Sequence, residues 1–106
     1  MIIVILRLSV PSEKRSDTVR AIRSIIGPTE AQLDCTLCRV YSQTENSDSL
    51  VLLEEWKSQE GLEQHIRSDD FRTILAVMDL AIEPPEIKFV TASNTAGMEL
   101  IEELRG

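Results

Sequence analysis

The first ten residues show the apolar alternation of a β-strand. One face is apolar throughout, because every second residue of the segment is hydrophobic: Ile2, Val4, Leu6, Leu8 and Val10. The opposite face is apolar at Ile3 and Ile5 and becomes polar at Arg7. Successive side chains of a strand point to opposite faces, so the segment predicts a strand that is largely buried on both sides.

A helical period follows, and then two β-rich segments. Apolar residues recur three and four positions apart from Val19 to Ile26, with Ser12 as a plausible N-cap and Gly27 and Pro28 as the end of the helix. Residues 34–43 and 49–57 are rich in β-forming side chains, and the polar residues 44–48 join them. This pattern predicts a hairpin.

Serines mark the next two helices. Ser58 would cap a helix with Leu62 and Ile66 on its inner side, and residues 68–71 restart a helix that ends before the prolines at 84 and 85. Residues 86–93 predict a last strand. A short amphipathic helix would follow, with an apolar stripe formed by Met98, Ile101 and Leu104.

The order β, α, β, β, α, β predicts an α+β protein with the ferredoxin-like split βαββαβ arrangement and an antiparallel sheet. We expect one domain over residues 1–106, in which 93–106 form a C-terminal helical extension. Helices on one side of the sheet would leave its other apolar face uncovered. A second copy packed sheet against sheet would cover that face, which predicts a homodimer.

The net charge of the chain excludes some classes of binding partner. The 106 residues contain 11 basic and 18 acidic side chains, for a net charge of −7, without a cluster of Lys and Arg. Such a chain has no means of neutralising several phosphates, so we expect no nucleic-acid or membrane partner. Arg7 interrupts the apolar opening well short of the roughly 20 residues of a membrane span, and we expect a cytoplasmic protein.

Cofactor and metal signals are weak. Cys35 and Cys38 are two of the four ligands that a structural zinc site needs, and His65 is the only histidine, so we interpret the cysteines as buried thiols on opposite faces of a strand. The four glycines form no dinucleotide or phosphate loop. We therefore expect no cofactor and no metal.

His65 and Trp56 are single copies with two interpretations each. His65 lies at the border of the inner helical stripe, where it is either a packed, hydrogen-bonded core residue or a general base facing a cavity. Trp56, at a strand end, is either packing or a flat surface for an aromatic substrate. The structural interpretation is the more common one for both residues.

Charged and phenolic groups inside the strands are the other candidates. Arg7 and Arg39 each lie in an apolar strand and need a partner, either a carboxylate such as Glu54 or Glu55 or the oxygen of an anionic substrate. Tyr41 shares a predicted face with Arg39 and is a candidate for substrate contact or for the dimer interface.

Residues 52–71, LLEEWKSQEGLEQHIRSDDF, resemble the signature of the antibiotic biosynthesis monooxygenase domain. The features are a strand ending in Glu-Glu-Trp, a capped helix with Leu and His, and Ser and Phe opening another helix. The remainder of residues 1 to about 92 follows the element order of that family. The resemblance implies a dimeric α+β barrel.

The resemblance also implies a set of activities. Members include cofactor-independent monooxygenases of anthrones or quinols, haem-degrading oxygenases and domains without established activity. Leu6 and Leu75 stand where haem-degrading relatives have asparagine and histidine, which disfavours haem degradation. Asp70 replaces a histidine that many members carry, so no role of that histidine transfers.

Two functions remain open. The first is a cofactor-independent monooxygenase of an aromatic polyketide or quinol, in which His65 is the base, Arg7 and Arg39 stabilise the anion, and Trp56 and Tyr41 bind the substrate. The alternative is a non-catalytic dimeric domain that binds a small apolar ligand or a protein partner.

Overall fold

The computed structural model describes all residues from Met1 to Gly106. The elements in chain order are β1 (Ile2–Ser9), α1 (Arg15–Glu30), β2 (Cys35–Ser42), β3 (Ser49–Trp56), α2 (Gln59–Ile66), α3 (Asp69–Met78), β4 (Glu86–Thr91) and α4 (Met98–Arg105). The predicted ferredoxin-like α+β order is confirmed, as is the extra C-terminal helix.

All neighbouring strands of the four-stranded sheet are antiparallel, in the order β2-β3-β1-β4. The central strand β1 pairs with β3 from Ile2 opposite Trp56 to Ser9 opposite Ser49. The hairpin predicted between β2 and β3 is present. The first and last strands of the chain, β1 and β4, also lie side by side.

The main core lies between one face of the sheet and the helices α1 and α3. It joins the inward side chains of β1 and β3 to the inner stripes of the two helices, with these members among others: Leu6, Leu8, Leu50, Leu52, Ile22, Ile25, Phe71 and Ile74. A smaller cluster at the other end of the sheet contains Ile2, Val4, Trp56 and Leu62. The second cluster positions α2 against β3.

Helix α1 extends further than the sequence predicted. It passes through Pro28 and ends at Glu30, and Thr29 continues the buried face of Ile22 and Ile25 beyond Gly27. The predicted cap at Ser12 is also wrong. Ser12 lies in a short 3-10 turn before the helix, and its hydroxyl hydrogen-bonds to Asp48.

The cysteines do not lie on opposite faces. The pairing of β2 with β3 shifts between Cys35 and Leu37, so that Cys35 lies opposite Trp56 and Cys38 opposite Glu54. An extra residue in one strand reverses the alternation beyond it, and both cysteines therefore pack against the helix-side core. Both are free thiols.

The opposite face of the sheet, which we call the open face, carries no helix. Its centre is apolar, and charged or polar side chains surround it. The residues on it include Ile3, Ile5, Leu37, Val51, Leu53 and Val90, together with Arg7, Arg39, Tyr41, Glu55 and Lys88.

Helix α4 does not pack closely on the domain. All eight of its residues are exposed, including the predicted stripe of Met98, Ile101 and Leu104, and Leu100 is exposed beside them. No helix of the structure is long and apolar enough to cross a membrane.

Candidate active site

A carboxylate lies in the middle of the helix-facing side of the sheet. Glu54 follows Leu52 and precedes Trp56 in the alternation of β3, and its neighbours across the strands are Val4 and Cys38. Its side chain is 1% exposed. A buried carboxylate needs polar partners, and Glu54 has two.

The first partner of Glu54 is Trp56. The two residues share a strand face, and the indole Nε1 donates to Glu54 Oε1 at 2.9 Å. Trp56 is completely buried. This hydrogen bond satisfies the only polar atom of the indole.

The second partner is His65, which α2 carries over the sheet. The hydroxyl of Ser58 caps this helix by accepting the backbone N–H of Gly61 at 3.0 Å. His65 Nε2 lies 3.4 Å from Glu54 Oε2, within ion-pair range, but it makes no well-aligned hydrogen bond. The imidazole is completely buried.

The other imidazole nitrogen faces Gln32, in the turn between α1 and β2. Gln32 Nε2 lies 3.3 Å from His65 Nδ1. A side-chain amide nitrogen donates only, so Nδ1 accepts and the ring proton of the neutral imidazole lies on Nε2, on the side of Glu54. The lone pair of His65 therefore points towards Gln32.

Aromatic rings hold the imidazole in place. The Trp56 and His65 ring centroids are 4.9 Å apart with planes inclined by 30°, and the edge of Phe71 approaches at 5.4 Å and 90°. These two contacts restrict rotation of the ring. The two single-copy residues thus form one cluster, and packing and chemistry are not exclusive interpretations.

A cleft of about 190 Å³ lies next to this cluster. Its wall includes Trp56 and Gln32, and its rim carries carboxylates and amides but no basic side chain. The lining residues are Gln32, Leu33, Asp34, Trp56, Glu60, Gly61 and Gln64. Gln32 therefore separates the cleft from His65 Nδ1.

The turn that carries Gln32 is fastened to α2. Ser58 Oγ donates to Asp34 Oδ2 at 2.5 Å, and the Lys57 backbone N–H donates to the Asp34 carbonyl at 2.8 Å. A Cβ added to Gly61 would lie 2.7 Å from the Cβ of Asp34, so only glycine allows this close approach. The two sides of the cleft thus have a fixed spacing.

The thiol of Cys38 lies beside the buried carboxylate. Burial, together with the negative charge of Glu54, raises the pKa of Cys38 to about 12. Burial also raises the pKa of Cys35. Both cysteines are therefore protonated and unreactive at neutral pH.

The structure does not bring Arg7, Arg39 and Tyr41 to His65. All three are on the open face, across the sheet from Glu54. Arg7 is 57% exposed and lies 3.7 Å from Glu86, and Arg39 pairs with Glu30. The expected partners Glu54 and Glu55 are therefore wrong: Glu54 points to the helices, and Glu55, although on the open face, forms neither ion pair.

Two members of the site were not recognised from the sequence. Glu54 was considered only as a partner for the arginines, although its position two residues before Trp56 already placed both on one strand face. Gln32 had no signal, because it lies in a turn whose position depends on the extension of α1 through Pro28.

Solved structures share this fold. A conserved protein from Methanosarcina mazei Go1 is 31% identical, with 87% of this chain and 92% of that chain covered and a TM-score of 0.80. Rv0793 from Mycobacterium tuberculosis is 24% identical, with 91% and 98% covered and a TM-score of 0.80. A crystal structure of an antibiotic biosynthesis monooxygenase is 17% identical, with 89% and 100% covered and a TM-score of 0.79.

Fold and site together define a ferredoxin-like α+β protein with a buried carboxylate–imidazole pair. The family model described as antibiotic biosynthesis monooxygenase matches residues 1–77. The chain therefore belongs to this family, as its resemblance over residues 52–71 implied. No curated protein sequence matches the chain significantly.

Proposed function

We propose that this protein is a cofactor-independent monooxygenase of an aromatic polyketide or a quinol, with His65 as the base. The observation that carries the proposal is the orientation of the imidazole. Its lone-pair nitrogen Nδ1 faces Gln32, a residue that lines the cleft, and its Nε2 faces the Glu54 carboxylate at 3.4 Å.

This arrangement suits proton abstraction. When Nδ1 takes a proton from a substrate, the imidazole becomes a cation, and the carboxylate of Glu54 stabilises that cation from the opposite side. The buried surroundings strengthen the attraction because few waters screen it. Glu54 acts as a positioning and stabilising group and does not touch the substrate.

The substrate itself would supply the electrons. For an anthrone, removal of the hydroxyl proton of its enol form gives the same anion as removal of a ring CH₂ proton. This anion forms a carbon–oxygen bond to O₂ at the ring carbon and becomes a hydroperoxide after protonation. Loss of the second hydrogen and cleavage of the O–O bond yield a ketone and water. Oxidation of CH₂ to C=O releases four electrons, and O₂ accepts all four, so no external reductant is required.

Arg7, Arg39 and Tyr41 form a separate part of the proposal. Their open-face positions allow a substrate contact only between the two sheets of a dimer. Arg7→Ala tests this part: a loss of turnover would support a substrate contact on the open face, apart from His65, and unchanged turnover would remove Arg7 from the proposal.

The homodimer is also part of the proposal. The apolar centre of the open face has no helix of the same chain over it, and a second copy offers a matching surface. The leading assignment of function does not depend on it, because His65, Glu54, Gln32 and the cleft belong to one chain.

Oxygen consumption with a panel of anthrones and quinols, in metal-free and flavin-free buffer, tests the activity. We expect turnover by the wild type and a loss of about 100-fold or more in His65→Ala, the range for removal of a general base. Phe71→Leu is the control, since it removes an edge contact of the ring and leaves both nitrogens. Absence of wild-type turnover with the whole panel would contradict the enzyme assignment.

The alternative, a non-catalytic binding domain, is favoured by the complete burial of His65 and by the exposed stripe of α4. The fluorescence of Trp56, the only tryptophan, reports ligand binding, and together with oxygen uptake it distinguishes the binding domain from the monooxygenase. Quenching by anthrones and by inert anthraquinones without oxygen uptake would support the binding domain.

A further inference from the structure

We propose that Gln32 is a positioning residue that fixes the tautomer of His65 at rest and that a substrate hydroxyl displaces from Nδ1. This inference rests on the proposed function. Gln32 both contacts His65 Nδ1, at 3.3 Å, and lines the cleft. A substrate in the cleft reaches the base only where the amide of Gln32 now lies.

The first step of the argument is the proton on the ring. With Gln32 donating to Nδ1, the neutral imidazole carries its proton on Nε2, towards Glu54. The opposite tautomer would place an N–H against the amide N–H of Gln32 and a lone pair against the carboxylate. Both contacts would be repulsive, so the amide and the carboxylate select the same tautomer.

The second step is the movement that a substrate requires. The backbone of Gln32 is held on both sides, because its N–H donates to the Thr29 carbonyl at 3.1 Å and its carbonyl accepts from the Cys35 N–H at 3.1 Å. Displacement therefore requires rotation of the side chain and no change in the turn. Such rotations in partly exposed residues take picoseconds to nanoseconds and would not limit turnover.

The third step is the exchange of hydrogen bonds. A phenol or enol O–H takes the place of the amide N–H as the donor to Nδ1, so the count of hydrogen bonds at the base is unchanged. The released amide of Gln32 can then donate to the oxygen that becomes negative when His65 takes the proton. A neutral hydroxylated aromatic molecule fits this exchange. A carboxylated one would meet Asp34 and Glu60 at the rim.

Nitrogen-15 NMR of the imidazole tests the resting state without any need for turnover. The chain has one histidine, so the two ring nitrogens give one pair of signals. We expect a protonated Nε2 and an unprotonated Nδ1 at pH 7 in the wild type. A wild-type proton on Nδ1 would overturn the inference even if the enzyme were active.

Two substitutions complete the test. Gln32→Glu places carboxylates on both sides of the ring, so we expect protons on both nitrogens at pH 7. Because such a ring cannot accept a proton, we expect at least a tenfold loss of kcat with any anthrone or quinol that the wild type oxidises. Gln59→Glu adds the same charge on an exposed residue of α2 that neither lines the cleft nor contacts the imidazole, so we expect wild-type NMR signals and turnover. Identical signals in wild type and Gln32→Glu would overturn the role of Gln32.

The kinetic result separates this inference from the proposed function. Gln32→Ala removes the donor to Nδ1 but leaves Glu54 beside Nε2, so we expect Nε2 to stay protonated, the Nδ1 signal to shift on loss of its hydrogen bond, and kcat/KM to fall. If His65→Ala abolishes turnover and Gln32→Ala changes neither the NMR signals nor kcat/KM, the base assignment stands and the role of Gln32 fails.

Discussion

Glu54 and Trp56 are joined by a hydrogen bond of 2.9 Å between two residues of one strand, in an interior that solvent does not reach. The bond uses one carboxylate oxygen and leaves the other for His65. The carboxylate thus connects the sheet to α2. A charge in this position stabilises the protein only as long as both partners remain in place.

Removal of the carboxylate should destabilise the protein. Glu54→Leu leaves the indole N–H without its acceptor, at about 1–3 kcal/mol for a buried donor, and it also removes the ion-pair partner of His65 Nε2. We expect the free energy of unfolding to fall by about 2–4 kcal/mol, measured by urea titration with Trp56 fluorescence. Glu54→Gln keeps an acceptor oxygen, so its free energy of unfolding should fall by less than that of Glu54→Leu.

Glu60→Gln is the control for this series, because it makes the same exchange on an exposed residue of α2. We expect a change within about 0.5 kcal/mol, as for most surface substitutions. A Glu54→Leu protein as stable as the wild type would show that the carboxylate pays a desolvation cost equal to its interactions.

Charge at the centre of the open face should prevent dimer formation. Leu53 lies between Arg39 on β2 and Ile5 on β1. In Leu53→Arg a sheet-to-sheet contact would bury an unpaired charge at a cost of several kcal/mol, so we expect at least a 100-fold rise in the dimer dissociation constant. Sedimentation velocity at micromolar concentrations measures it.

Leu75→Arg is the matched control, since Leu75 is a half-exposed residue of α3 on the helical side of the sheet. It should sediment as the wild type does. A monomeric wild type, or a Leu53→Arg protein that dimerises normally, would rule out the open face as the interface.

Helix α4 should strengthen the dimer. A helix of eight residues is not stable by itself in water, and its own domain does not bury it, so we predict that it packs across the dimer. Deletion of residues 95–106 should raise the dimer dissociation constant by about tenfold or more, which corresponds to about 1.4 kcal/mol.

Point substitutions separate the stripe from the rest of α4. Ile101→Ser should weaken the dimer, and Glu103→Ser, off the stripe, should not. Equal dimerisation of the truncated and full chains would leave the stripe for another partner and favour the interaction-domain alternative.

The thiol of Cys38 should make the protein sensitive to alkali. In the folded protein its pKa is raised from 9.0 to about 12, so between pH 9 and 12 the unfolded chain loses this proton and the folded chain retains it. The contribution of the Cys38 thiol to the free energy of unfolding is therefore fully present below pH 9 and is lost as the pH rises towards 12. Urea unfolding at a series of pH values measures the slope.

Cys38→Ala isolates the effect of this thiol. In this variant the free energy of unfolding should fall less steeply between pH 9 and 12 than in the wild type. Cys35→Ala should flatten this decline less, since the surroundings of Cys35 are more exposed. An unchanged slope in Cys38→Ala would assign the alkaline loss to other groups.

The strands and most helices could be predicted because their signals are local. The alternation in β1 and β3 and the cap at Ser58 each depend on neighbouring residues, and the structure contains that cap. The end of α1 could not be predicted, because its last turn is held by tertiary contacts that the local effect of Pro28 does not reveal: Glu30 accepts from the Cys38 N–H and pairs with Arg39.

The site was predictable in part for the same reason. His65 and Trp56 were singled out as single copies, but their contact joins a strand and a helix and depends on tertiary packing. The faces of Cys35 and Cys38 depended on a bulge that the residue pattern does not reveal. Glu54 alone had a usable local signal, its shared strand face with Trp56.

Because α1 continues through Pro28, the length of that helix determines where Gln32 lies relative to His65. Each residue of an α-helix turns the chain by about 100° and advances it by about 1.5 Å. One alanine inserted before Pro28 would turn the following residues away from α2, although every side chain of the site would still be present. Insertions in this helix should therefore be far less acceptable than insertions in the polar 44–48 hairpin turn, where the chain faces solvent and holds no part of the site.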